Sequence, residues 1–224
     1  MKRKRSLIIA AVFIVIGGTL GVMRIAGLGI FANKTAHEEI RTEGVPSWIQ
    51  AQYLTKNEFS RPGFALDEVK NIVVHYVANP GTTAANNRNY FESLKSGKSV
   101  KASSHFIVGL DGEVLQCIPL SEVAYANYPR NEDTISIEVC HPDDTGKFNA
   151  ATYDSVIRLA AWLCKSYGLT EESLLRHFDI SGKDCPRYFV QNEAEWEQFK
   201  KDVGAQIIQD EMFLNQNNSD TKEK

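Results

Sequence analysis

The sequence has no internal repeat at a fixed period, which excludes repeat architectures. It also lacks an excess of positive charge. The formal net charge is −3, and five of the 25 basic residues (Lys2, Arg3, Lys4, Arg5 and Arg24) lie in the first 32 positions, where no acid occurs. The rest of the chain therefore carries 20 basic against 28 acidic residues, a net of −8. That excludes a nucleic-acid binder, which needs a basic face to neutralise phosphates. Cysteine is scarce too. Cys117, Cys140, Cys164 and Cys185 show no spacing of a disulfide framework. The first three fall in apolar runs and read as buried thiols, with a Cys117–Cys140 bridge left open.

What is present fits a globular chain. Hydrophobic residues make up 43% of 224 residues, enough for one domain of ordinary size plus extensions. Residues 1–5 are a basic flank, and Ser6 to Met23 is an 18-residue uncharged run. After Arg24 the chain is apolar again to Ala32. Segment 6–32 is near the lower limit for a membrane span and long for the apolar part of a signal peptide. A single-pass membrane anchor is expected, with secretion after signal cleavage as the alternative. Either way residues 1–5 stay in the cytoplasm and the remainder is extracytoplasmic. Residues 33–64 read as a linker and lead-in segment, 65–210 as the compact domain and 211–224 as a polar, disordered tail.

Within the domain, strands and helices mix. Asn71 to Val77 is a β-branched run suited to a buried strand. Thr83 to Lys95 predicts a helix ending at Gly97. His105 to Leu110 and Glu113 to Ile118 flank Asp111-Gly112, a hairpin signal. Thr134 to Cys140 predicts a strand, and Thr152 to Tyr167 a helix capped by Gly168. Leu174 to Phe178 reads as a short strand leading into the loop Ser181 to Pro186. Glu193 to Gln209 predicts a closing helix with Trp196, Phe199, Val203 and Ile207 on one stripe. The expected fold class is α/β, a mixed central β-sheet flanked by helices.

Three groups of residues carry chemistry. His75 lies inside a strand, where a lone histidine is more often a hydrogen-bonded core residue than a ligand. His177 and Cys185 stand eight residues apart across a glycine-containing loop. Imidazole and thiolate are preferred zinc ligands, and three protein ligands leave a fourth position open. Glu138 sits in Ile135-Ser136-Ile137-Glu138-Val139-Cys140, either on an edge strand facing solvent or kept for a function. His141 is adjacent to Cys140, but strand neighbours face opposite sides, so it reads as structural.

Taken in order, His75 in its strand, Ser103-Ser104-His105-Phe106, Ile135-Ser136-Ile137-Glu138 and Arg176-His177-Phe178-Asp179-Ile180-Ser181-Gly182-Lys183-Asp184-Cys185-Pro186 resemble the type-2 N-acetylmuramoyl-L-alanine amidase family. That family includes phage endolysins and peptidoglycan recognition proteins. Ser60-Arg61-Pro62-Gly63 and Asn79-Pro80-Gly81-Thr82-Thr83-Ala84 resemble the form of Gram-positive bacteria and their phages. The resemblance spans about Ser60 to Val203. It implies the peptidoglycan recognition protein-like fold, one zinc ion on His75, His177 and Cys185, and Glu138 as the catalytic glutamate. Lys183 matches a lysine beside the attacking water. The implied reaction is hydrolysis of the amide between N-acetylmuramic acid and L-alanine, with peptidoglycan as the partner and a monomer as the working form.

The chain departs from the family in two places. Ser104 stands where some members carry a catalytic tyrosine, and Ala124-Tyr125-Ala126-Asn127-Tyr128 lacks the histidine of an aromatic–His pair. His105, Tyr125 and Asn86 are expected substrate contacts, although His105 in a strand could simply pack. The rival readings are a peptidoglycan-binding module that does not cut, and a membrane-tethered scaffold with a structural zinc. The second would need a fourth protein ligand, and none is evident.

Overall fold

The computed structural model describes residues 45–97 and 100–220. The basic flank 1–5, the membrane segment 6–32 and the first part of the linker lie outside the described residues. Among the described residues, no helix is long and apolar enough to cross a membrane.

Six strands form one sheet: β1 (Ile49–Ala51), β2 (Asn71–Tyr76), β3 (Phe106–Val108), β4 (Val114–Gln116), β5 (Thr134–Val139) and β6 (Leu174–Arg176). Their spatial order is β1-β4-β3-β5-β2-β6. The β3–β4 hairpin is antiparallel and the other pairings are parallel, so the sheet is mixed as expected. The hairpin turns at Gly112, whose φ of 81° suits glycine. β2 and β5 are the innermost long strands, and Ile72, Val73, Val74, Ile135 and Ile137 are fully enclosed. Burial on both faces explains why both read as continuous apolar runs.

Helices α1 (Ala84–Ser93), α2 (Ala150–Tyr167), α3 (His177–Ser181), α4 (Arg187–Gln191) and α5 (Glu193–Asp220) complete the fold. α2 starts where the Asn149 side chain accepts from Thr152 N and stops at Gly168, in the left-handed conformation with φ 64°. Its buried face carries Val156, Leu159, Ala160, Leu163 and Tyr167. α5 buries Trp196, Phe199 and Val203, and Tyr153 of α2 donates from its hydroxyl to Asp202 at 2.8 Å.

Three expectations need correction. Residues 45–64 are not simply a linker. β1 joins the sheet against β4, Leu54 is buried, and the Arg61 guanidinium donates twice to the Glu122 carboxylate, at 2.8 and 2.9 Å. β1 is three residues long and buries only Ile49, so no alternation marks it in the sequence. The strand at Leu174 ends at Arg176, and His177 opens a helix, because the Asp179 carboxylate accepts the Arg176 backbone N–H at 2.7 Å. Residues 211–220 continue α5. With neither proline nor glycine after Gly204, each added residue extends an existing helix at one hydrogen bond per residue.

Candidate metal centre and active site

The sheet register assembles the site. His75 pairs with Glu138 across β2 and β5, and Val74 pairs with Arg176 across β2 and β6. His177, the next residue after β6, therefore arrives beside His75, and their ring centroids are 4.6 Å apart. Arg176 fixes that arrival. Its guanidinium is buried, pairs with Asp179 at 2.8 Å and with Glu193, and lies over the Trp196 ring. Gly182 then ends α3 with φ 73°, its N–H donating to Phe178 O. The chain doubles back, Phe178 N donates to Cys185 O at 2.9 Å, and the thiol lies against the histidines. Cys185 Sγ is 3.7 Å from His75 Nδ1.

One donor atom each from His75, His177 and Cys185 lies within 4.8 Å of the others. Burial, then the neighbouring His177, pull the His75 pKa down to about 3, against the opposing hydrogen bond to the Asn127 amide oxygen. Burial and then Lys183 lower that of His177. Both rings are thus neutral at physiological pH, the form that offers a lone pair. Burial pushes the Cys185 thiol up to about 12, with Glu138 adding to the rise. Such a thiol releases its proton readily only where a metal cation takes the proton's place on sulfur. His177 Nδ1 is buried with no hydrogen-bond partner. An orphaned imidazole nitrogen, a second neutral imidazole and a thiol supply two nitrogen donors and one sulfur donor. That set fits a zinc ion and leaves one position open. Among the described residues no other cluster of this kind occurs.

Glu138 is not on an edge: β5 lies between β3 and β2. Its Oε2 is buried and has no hydrogen-bond partner. Burial raises its carboxyl to about 8, against the pull of Lys183. Lys183 itself is exposed, yet its charge acts on His75, His177, Glu138 and Cys185.

The three expected substrate contacts fare differently. His105 is fully buried, and both its ring nitrogens are engaged: Ser136 N donates to Nδ1 at 3.1 Å, and Nε2 bonds the Glu122 carbonyl at 3.0 Å. It is a core histidine tying β3 to β5, not a groove residue. The Asn86 carboxamide oxygen caps α1, accepting from the backbone N–H and the hydroxyl of Thr83 at 3.1 and 2.8 Å, so it is committed to the helix end. Tyr125 is half-buried and lines a depression of about 690 Å³ with Phe64, Tyr128 and Arg130; none of the three candidate ligands lines it. Ser104, in the place of the family's tyrosine, is buried with its hydroxyl on the carbonyls of Phe106 and Ser136. His141 is buried with Nδ1 on the Asp143 carbonyl and Nε2 without a hydrogen-bond partner. Cys117, Cys140 and Cys164 are free and buried.

Sequence reasoning misses Asn127. Its Oδ1 lies 2.6 Å from His75 Nε2, and it is fully buried. In the sequence its loop stands out only for lacking a histidine.

Residues 65–188 match the family described as N-acetylmuramoyl-L-alanine amidase. The chain is 35% identical over 166 residues to the N-acetylmuramoyl-L-alanine amidase CwlL of Bacillus licheniformis, covering 68% of this chain and 46% of that protein. It thus spans a little under half the length of the curated relatives it matches. Among solved structures it resembles the catalytic domain of XlyA, at 27% identity and a TM-score of 0.58 over 70% of this chain and 99% of that one. A mutant endolysin from Bacillus subtilis matches at 28% identity and a TM-score of 0.59, covering 70% of this chain and 98% of the other.

Proposed function

Since the chain belongs to the N-acetylmuramoyl-L-alanine amidase family, we propose that it hydrolyses the amide between N-acetylmuramic acid and L-alanine in peptidoglycan, with one zinc ion on His75, His177 and Cys185. The observation that carries this reading is the three donors within 4.8 Å of one another, beside a buried carboxylate oxygen that has no partner. When bound, zinc acidifies a water molecule and polarises a carbonyl.

The chain's own residues do the rest. Glu138 takes a proton from the attacking water and returns it to the departing amide nitrogen. A carboxyl poised near the working pH suits that exchange in both directions. The Lys183 ammonium stabilises negative charge developing on the carbonyl oxygen. Tyr125 contacts the substrate from the depression beside the Asn127 loop. The apolar run from Ser6 supports tethering to the cell membrane with the catalytic domain outside.

The direct test is zinc content and wall-lytic activity of the wild type and of Cys185→Ser. An enzyme of this kind carries one zinc per chain and loses both metal and lysis on substitution. A binding module keeps its affinity for the wall and shows no lysis in either form.

A further inference from the structure

We propose that Asn127 is a positioning residue whose hydrogen-bond chain fixes the tautomer of His75, so that Nδ1 is the atom offered to a metal. The proposal rests on the reading that His75, His177 and Cys185 hold one. The chain begins at the Arg130 backbone carbonyl, which can only accept. The Thr134 hydroxyl donates to it at 2.6 Å, which commits that proton. The Thr134 oxygen is then an acceptor, and Asn127 Nδ2 donates to it at 2.8 Å. The carboxamide is thereby oriented, and Oδ1 faces His75 Nε2 at 2.6 Å. An amide oxygen cannot donate, so Nε2 must carry the hydrogen. The lone pair falls on Nδ1, 3.7 Å from Cys185 Sγ.

The opposite amide orientation fails on the same chemistry. It would set the Asn127 oxygen against the Thr134 oxygen with no proton between them, and two buried acceptors in contact are costly. Asn127, Thr134 and His75 are all nearly inaccessible to solvent, so no water competes for these bonds. The loop is pinned as well. Asn131 Oδ1 accepts from Ala126 N and Asn127 N at 3.1 and 2.6 Å, and Arg130 N donates to Asn127 O. The acceptor therefore stands in place before a metal arrives. Partners of this kind orient a ligating imidazole and raise its basicity, and losing one costs about 10–100-fold in metal affinity.

The test is zinc affinity of the full chain, measured by competition with a chromogenic chelator, for wild type, Asn127→Ala and Asn127→Asp. Asn127→Ala is expected to weaken zinc binding about 10–100-fold. Asn127→Asp keeps an acceptor toward Nε2, and the Thr134 hydroxyl can turn from the Arg130 carbonyl to donate to the second carboxylate oxygen, so this variant is expected to retain affinity above that of Asn127→Ala by most of that margin. Affinity of Asn127→Ala equal to wild type overturns the proposal, as does an equal loss in both variants, which would point to packing alone. A wild type that binds no zinc overturns the metal reading itself and the proposal with it. Because a variant can fail to fold, nitrogen-15 resonances of the wild-type histidines give a second readout. His75 is expected to show a slowly exchanging Nε2–H with and without zinc, and an Nδ1–H tautomer overturns the proposal.

Discussion

Glu138 and the three candidate ligands answer to different perturbations. Glu138→Gln keeps the volume and removes the base. It is expected to lower kcat by about 10²–10⁴-fold with zinc still bound, read by kinetics alongside metal analysis. A variant that loses zinc in step with activity would make Glu138 a ligand instead. Lys183→Ala is expected to lower kcat by about 10²-fold while leaving zinc affinity nearly unchanged, since its proposed partner is charge that develops only during reaction. The residues themselves are legible to different degrees. His177 and Cys185 announce themselves by residue type around a glycine turn, and Glu138 by being a carboxylate among β-branched neighbours. Asn127 is not legible. It acts by meeting His75 from a loop 52 residues away, and no local pattern encodes where an irregular loop closes. The expectation for His105 fails for the same reason. A polar side chain's partner decides whether it faces substrate, and for His105 the partner is the Glu122 carbonyl in the core.

At the scale of elements, the long segments are readable and the short ones are not. β2, β5, α1 and α2 carry burial patterns or caps of their own. β1 is legible only through its partner β4. Beyond that pairing and the burial of Leu54, the Arg61–Glu122 pair, in which both side chains are largely buried, ties that first segment down. Hydrogen bonding to Arg61 keeps the Glu122 carboxyl below its ordinary value, against burial. A carboxyl lowered in the folded state contributes stability at pH above its unfolded value of 4.5, and that contribution is lost as pH falls through the folded value. Glu122→Gln is therefore expected to cost about 1–3 kcal/mol at pH 7 and progressively less below pH 4.5, by denaturant titration at both pH values. An equal cost at neutral pH and in strong acid would remove the ion pair as the source of that stability. α5 is held differently, by Phe199 packed against Trp196, Phe189 and Tyr153. Phe199→Ala is expected to cost about 3–5 kcal/mol by the same titration, since a fully buried ring leaves a cavity.

For the whole molecule, the balance of charge beyond the N-terminal segment, 20 basic against 28 acidic residues, would under the proposed function set an acidic protein against an anionic cell wall. Repulsion between exposed charges is screened as ionic strength rises. Lytic activity is expected to increase from low to moderate salt or on adding divalent cations, and a flat profile would show that the net charge plays no part. The chain covers nearly all of the XlyA catalytic domain but under half of CwlL, and cleavage is the step the proposed function rests on. Mass spectrometry of purified peptidoglycan digested by the protein, zinc-loaded and then stripped with a chelator, tests that step most directly. Stem peptides bearing a free L-alanine amino group are expected, released only when zinc is present. Cleavage inside the stem peptide or the glycan, or the same release after the metal is stripped, would show that this is not a zinc amidase of that bond.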